Sequence, residues 1–252
     1  MQQRRKKINN GRMGIELPAP HTTVVPLDES QPDRLILEQL LADPDTRAVI
    51  EYADAALGVI GYTEHGIRHG TITGATAQRI LEELGYSKRE TELAAIAGFL
   101  HDAGNVVNRH LHAQSSSWLT WNLLRQLGMS TGEILRIISA VGNHDEHDGE
   151  VVSAITAAVM IADKCDVHRS RVRNPDPATQ DIHDRVNLAA EETNVLVDRE
   201  AHTITLEIKT NTAISGYADY FEIFLPRMLV CRHAAKFLDC EFQLVINDVR
   251  LL

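Results

Sequence analysis

Cysteine is scarce and unpatterned: the 252 residues hold only Cys165, Cys231 and Cys240, with no CxxC. An odd count without a framework excludes a disulfide-stapled scaffold. It fits a reducing, cytoplasmic setting in which each thiol is a small core residue. Long apolar runs are missing as well. None approaches the ~20 residues of a membrane span, so no membrane partner is expected. Positive charge is in deficit, with 25 Lys and Arg against 35 Asp and Glu and a formal net charge of −10. That field does not favour binding to a nucleic-acid backbone. A small anionic substrate would need local positive charge, from a metal or from a few Arg and Lys. No apolar segment follows the basic cluster Arg4, Arg5, Lys6 and Lys7, which argues against a signal peptide. Internal repeats and low-complexity segments are absent too.

What is there reads as a mainly α chain in three parts. Residues 1–30 are polar and carry Pro18, Pro20 and Pro26, the pattern of an extended arm with at most a short strand at 22–25. Residues 31–177 read as an all-α helical bundle. A first helix begins near Pro32-Asp33, with Leu35, Leu37, Leu40 and Leu41 as its stripe, and Asp43-Pro44-Asp45 breaks it. Further helices are predicted over 46–58, over 67–84 up to Gly85, and from a Ser87/Glu90 capping box to residue 101. Two more run from His112 to Leu127, with Trp118, Leu119, Leu123 and Leu124 inside, and from Ser130 or Thr131 to His144. A long apolar helix is expected from Glu150 to about Arg173. Residues 178–252 read as a small α+β appendage, with strands at 194–197, 203–209 and 242–246 and a helix from Tyr217 to Leu238. Pro226 should kink that helix or mark its start. So few short strands leave an edge, and an open edge points to a homodimer.

The chemistry gathers around Phe99-Leu100-His101-Asp102-Ala103-Gly104. Helix neighbours point about 100° apart, so His101 and Asp102 can meet one ion only where the helix ends. Gly104 is expected to supply that bend through a left-handed C-cap. Imidazole plus carboxylate suits Fe, Mn or Zn. Other candidates fall at helix ends or on apolar helix faces, in the order His69, His101-Asp102, His112, His144, Asp163. Asp163 stands in the run Ala157 to Ala162, which would bury it, and a buried carboxylate needs a partner or a metal. His147, His168, His183, His202 and His233 read as ordinary histidines.

This order resembles the HD superfamily of metal-dependent phosphohydrolases, whose signature is His, then His-Asp, then Asp. The resemblance spans about residues 60–173. It implies that His69, His101, Asp102 and Asp163 hold one divalent ion. It also implies that His112 and His144 hold a second, Fe or Mn, with Asp102 bridging. His110 is the alternative to His112; the spacing after His112 fits a helix starting there. His65 lies where some HD-GYP proteins bind a third metal through Glu, and is read as supporting the ligands from behind or facing substrate. The HD-GYP pattern itself is not met: Asn105 replaces a Lys, Asn143 precedes His144 where a second His belongs, and no Gly-Tyr-Pro follows Gly149. The implied activity is two-metal hydrolysis of a small-molecule phosphate ester, such as a nucleotide, with Asp102 and Lys164 in catalysis. Arg68, Lys164, Arg169, Arg173 and His65 are the expected substrate contacts. A branch of the same superfamily uses the six-ligand order with two irons to activate oxygen, so a di-iron oxygenase is the alternative. A degenerate ligand-sensing protein is the third reading.

Overall fold

The computed structural model describes residues 35–174, 176 and 178–252. The expected N-terminal arm, its strand at 22–25 and the helix start near Pro32-Asp33 lie outside the described residues. From Leu37 the chain runs α1 (Leu37–Ala42), α2 (Pro44–Val59), α3 (Ile67–Leu84), α4 (Lys88–Leu100), a 3-10 turn (Ala103–Val106), α5 (His112–Gln126), α6 (Thr131–Gly142) and α7 (Ala154–Cys165). Asp43 both stops α1 and caps α2, accepting from the Thr46 amide at 2.8 Å, with Pro44 at the first helical position. Gly85 ends α3 at φ +85°, and the Ser87/Glu90 box opens α4.

Every residue of α7 except Asp163 is buried. A helix that is apolar all round belongs at the centre of a bundle, and α7 packs against α3, α4, α6 and α9 (Tyr217–Phe237). The remaining elements are a 3-10 turn (Arg169–Arg171), α8 (Ile182–Ala189), β1 (Ala190–Asp198), β2 (Thr203–Thr210), β3 (Glu241–Ile246) and β4 (Val249–Arg250). The strands form one four-stranded sheet in the order β1-β2-β3-β4. β1 and β2 are an antiparallel hairpin, whereas α9 carries the chain across so that β3 lies parallel to β2, with Leu206 opposite Leu244. Buried residues of the bundle, of α9 and of the sheet belong to one continuous core.

Several expectations are corrected. The helix expected over 150–173 stops at Cys165, because Asp166 turns inward and Arg171 bonds its carbonyl at 2.8 Å. Pro226 does not mark a helix start, since α9 begins nine residues earlier. Trp118 is 72% exposed rather than interior. Gly104 is not left-handed; it sits in the 3-10 turn, and a Cβ there would lie 2.2 Å from the His112 carbonyl oxygen. It is glycine for close approach. α8 and β4 were not anticipated.

Candidate metal centre

Five helices bring their ends to one place. His69 lies in the first turn of α3, His101 and Asp102 follow α4, His112 opens α5, His144 follows α6 and Asp163 is near the end of α7. All except Asp163 are buried. His69 and His101 face each other with their Nε2 atoms 3.2 Å apart, and Asp163 Oδ1 lies 3.3 and 3.5 Å from them. His112 and His144 make a second such pair, Nε2 to Nε2 at 3.1 Å. Asp102 stands between the pairs and divides its oxygens. Oδ2 lies 3.4 Å from His101 Nε2 and 3.8 Å from His69 Nε2. Oδ1 lies 3.3 Å from His112 and 4.0 Å from His144.

The tautomers follow from the other ring nitrogens. Nδ1 of His101, His112 and His144 meets the carbonyl oxygens of Gly98, Arg109 and Val141 at 2.7, 3.1 and 2.6 Å. A carbonyl only accepts, so each Nδ1 carries a hydrogen, and Nε2 is the ring nitrogen left to meet an ion. His69 Nδ1 meets Asp166 Oδ2 at 2.7 Å, an arrangement typical of a metal-ligating histidine. Nitrogens facing each other at 3.1–3.2 Å need a proton or a metal ion between them. Imidazole and carboxylate donors converging in two groups that share Asp102 therefore fit a pair of divalent ions.

The surroundings hold these groups in register. Asp166 is gripped by both arms of Arg68, at 2.9 and 3.2 Å. Asn105 Nδ2 donates to Asp102 Oδ1 at 2.9 Å, and Arg109 approaches the same oxygen at 3.5 Å. Lys164 Nζ bridges Asp163 Oδ2 and Glu146 Oε2, each at 2.6 Å, and Arg227 of α9 reaches Glu146 at 3.5 Å. Burial opposes charge on all of these, and except at His144 the partners prevail. Burial alone would keep His101 neutral, yet Asp102 and Asp163 push it up to about 10. Against the same penalty Asp102 is held well below the carboxylate range by His101, and Asp163 by Lys164 and His101. Lys164 and Arg227 bring Glu146 down to about 2 against its own burial. Burial, with His101 and Lys164 close by, lowers His144 to about 3.

The centre opens into a cavity of about 350 Å³. Its lining includes Tyr62, His65, Asp102, His112, His144, Asp163 and Lys164, together with Arg109, Arg171, Arg227 and four residues of the α8 region. All six predicted metal-site residues are thus brought together, and Lys164 and His65 line the same space. His65 lies in the loop before α3, not on it, with Nδ1 bonded to the Thr63 carbonyl. The other expected substrate contacts are elsewhere. Arg68 works behind His69 through Asp166, Arg169 pairs with Glu191 at 3.0 Å, and Arg173 pairs with Asp54. Arg169 and Arg173 missed the cavity because the helix that would have aligned them ends at Cys165. Sequence reasoning also passed over Asp166, Glu146, Arg109, Arg227 and His183. Only Asp166 left a trace, as a second acid three residues after Asp163.

Residues 66–168 match the family model of the HD domain. Over 217 residues the chain is 24% identical to an uncharacterized protein of Methanocaldococcus jannaschii, covering 75% of this chain and 80% of that one. A crystal structure described as a predicted HD superfamily hydrolase from an uncultured Thermotogales bacterium aligns at 20% identity and a TM-score of 0.39, over 53% of this chain and 75% of that one. Residues 66–168 are thus an HD domain.

Proposed function

We propose that the protein is a metal-dependent phosphohydrolase that cleaves a phosphate ester of a nucleotide or similar small molecule. The observation that carries this is the division of Asp102 between two histidine pairs, Oδ2 toward His69 and His101, Oδ1 toward His112 and His144. His69, His101, Asp102 and Asp163 would hold one divalent ion, and Asp102, His112 and His144 the other, with Fe or Mn the expected metals. Such a pair supplies Lewis acidity and a water acidic enough to attack near neutral pH. The protein's own part is placement and charge. Five acids of the cavity lining (Asp102, Glu146, Asp163, Asp181, Asp184) slightly outnumber four bases (Arg109, Lys164, Arg171, Arg227). Two divalent ions reverse that sign, so a phosphate is attracted only to the loaded site. Arg109 and Arg227 are then placed to orient it, and Lys164 keeps Asp163 ionised and aimed.

The test is metal analysis of anaerobically purified protein coupled to phosphate release from a panel of phosphoesters. Two ions per chain, turnover with Mn independent of oxygen, and loss of both ions and turnover in Asp102→Ala are expected. An Fe form that consumes oxygen in step with substrate, beside an Mn form inert on every ester, would replace hydrolysis with oxygenation.

A further inference from the structure

The cavity has a wall that the HD domain does not build. α8 lies beyond the matched residues 66–168, yet Asp181, His183, Asp184 and Asn187 all line the same cavity as the candidate ligands. Asn187 is 4% exposed. Its Nδ2 donates to the His183 carbonyl at 2.9 Å, which fixes the amide orientation, because that carbonyl can only accept. Asn187 Oδ1 is then an acceptor, buried, and without a hydrogen-bond partner among the described residues. A buried acceptor left unsatisfied is costly, and native structures seldom tolerate one without a use for it. Asp184, also buried, and Asp181 add carboxylate oxygens to the same wall, and Asp181 is anchored as the N-cap of α8. The α8 side of the cavity is therefore rich in acceptors, whereas the metal side attracts phosphate.

We infer that α8 forms a subsite for the alcohol part of the substrate and that this part is polyhydroxylated, as in a sugar phosphate or a ribonucleotide. The phosphate end of this assignment rests on the hydrolase reading; the α8 end rests on Asn187 and its neighbours. Hydroxyl groups fit because the buried acceptor is a neutral amide oxygen, which one O–H satisfies. Size agrees, since about 350 Å³ is at the small end of ligand cavities and suits one sugar phosphate better than a dinucleotide.

The experiment compares ribose 5-phosphate, pentyl phosphate and 5-aminopentyl phosphate on the Mn-loaded protein, by calorimetric binding and by phosphate release. Wild type should bind ribose 5-phosphate about 10- to 100-fold more tightly than pentyl phosphate. Asn187→Leu should remove about tenfold of that preference, and Asn187→Asp, which keeps an acceptor oxygen, should retain it. Equal wild-type affinity for the ribose and pentyl esters overturns the subsite whether or not the variants fold. A preference for the aminopentyl ester over ribose 5-phosphate also overturns it, by making the ligand a cation. The two readings separate cleanly. Hydrolysis of both esters at equal kcat/KM upholds the hydrolase and refutes the subsite. Selective binding of ribose 5-phosphate with no phosphate released does the reverse.

Discussion

Asp166 shows how one side chain outside the expected ligand set governs the set. It touches His69 Nδ1 at 2.7 Å, takes both arms of Arg68, and has its own carbonyl held by Arg171. Those contacts keep its carboxyl well below the usual range despite burial, so an anion stands permanently behind His69. That anion fixes the ring orientation and raises the basicity of Nε2. Asp166→Asn preserves shape and can still accept a hydrogen bond, but removes the charge. We expect about 10- to 100-fold weaker metal binding, read by titration of the stripped protein with Mn, with near-native circular dichroism. Undiminished affinity would mean that Asp166 serves only Arg68. The same logic explains why Arg68 was misplaced as a substrate contact: its side chain is 29% exposed, but its guanidinium is spent on Asp166.

Among the elements, the α3–α4 contact sets the distance on which the first histidine pair depends. Gly74 and Gly98 let the two backbones meet: a Cβ on Gly74 would lie 2.5 Å from the Ala95 carbonyl oxygen, and one on Gly98 would lie 2.8 Å from Gly74 Cα. Neither obstacle is a side chain that can rotate away. Gly74→Ala should therefore push the helices apart, costing about 1–3 kcal/mol as overpacking and weakening metal binding at His69 and His101 together. Thermal melting and Mn titration read the two effects, and a melting loss with unchanged Mn affinity would uncouple the interface from the site. Such contacts are not legible in a single chain, whereas much else was. Periodicity and caps placed α3 to α6 within a residue or two, because Gly85, Ser87, Gly128 and Ser130 act locally. α8 escaped because eight residues carry too few apolar repeats, although Ile182, Val186 and Ala189 do keep helical spacing. The end of α7 was misjudged because it is decided by Arg171 binding back across the chain, which no local pattern encodes. The site divides the same way. Histidines and aspartates at helix ends could be read in order, while Glu146, Arg109 and Arg227 count only through partners distant in sequence.

At the scale of the whole molecule, the metal centre is a tie between otherwise separate pieces. Its six candidate ligands come from the ends of α3, α4, α5, α6 and α7, and α7 in turn packs against α9, which carries the chain from β2 into β3. Without ions the tie becomes a strain. Two pairs of Nε2 atoms at 3.1–3.2 Å then have only protons to hold them together, and the buried Asp102 and half-buried Asp163 carboxylates rely on His101 and Lys164 for compensation. Unfolding disperses the ligands, so any ion bound only by the folded chain stabilises it by mass action. At a free ion concentration about 100 times Kd this amounts to about 2.7 kcal/mol. For a chain of this length that corresponds to a rise in Tm of roughly 5–10 °C. We therefore expect the Mn-saturated protein to melt at least that much above the chelated protein, with a Tm that climbs further as free Mn is raised. Asp102→Ala, which removes the residue shared by both groups, should abolish the increment while leaving the melt of the stripped chain close to native or higher, since it also removes a buried charge. A melting temperature unmoved by chelation in the native protein would mean that the converging histidines do not bind metal, and the hydrolase reading would lose its foundation.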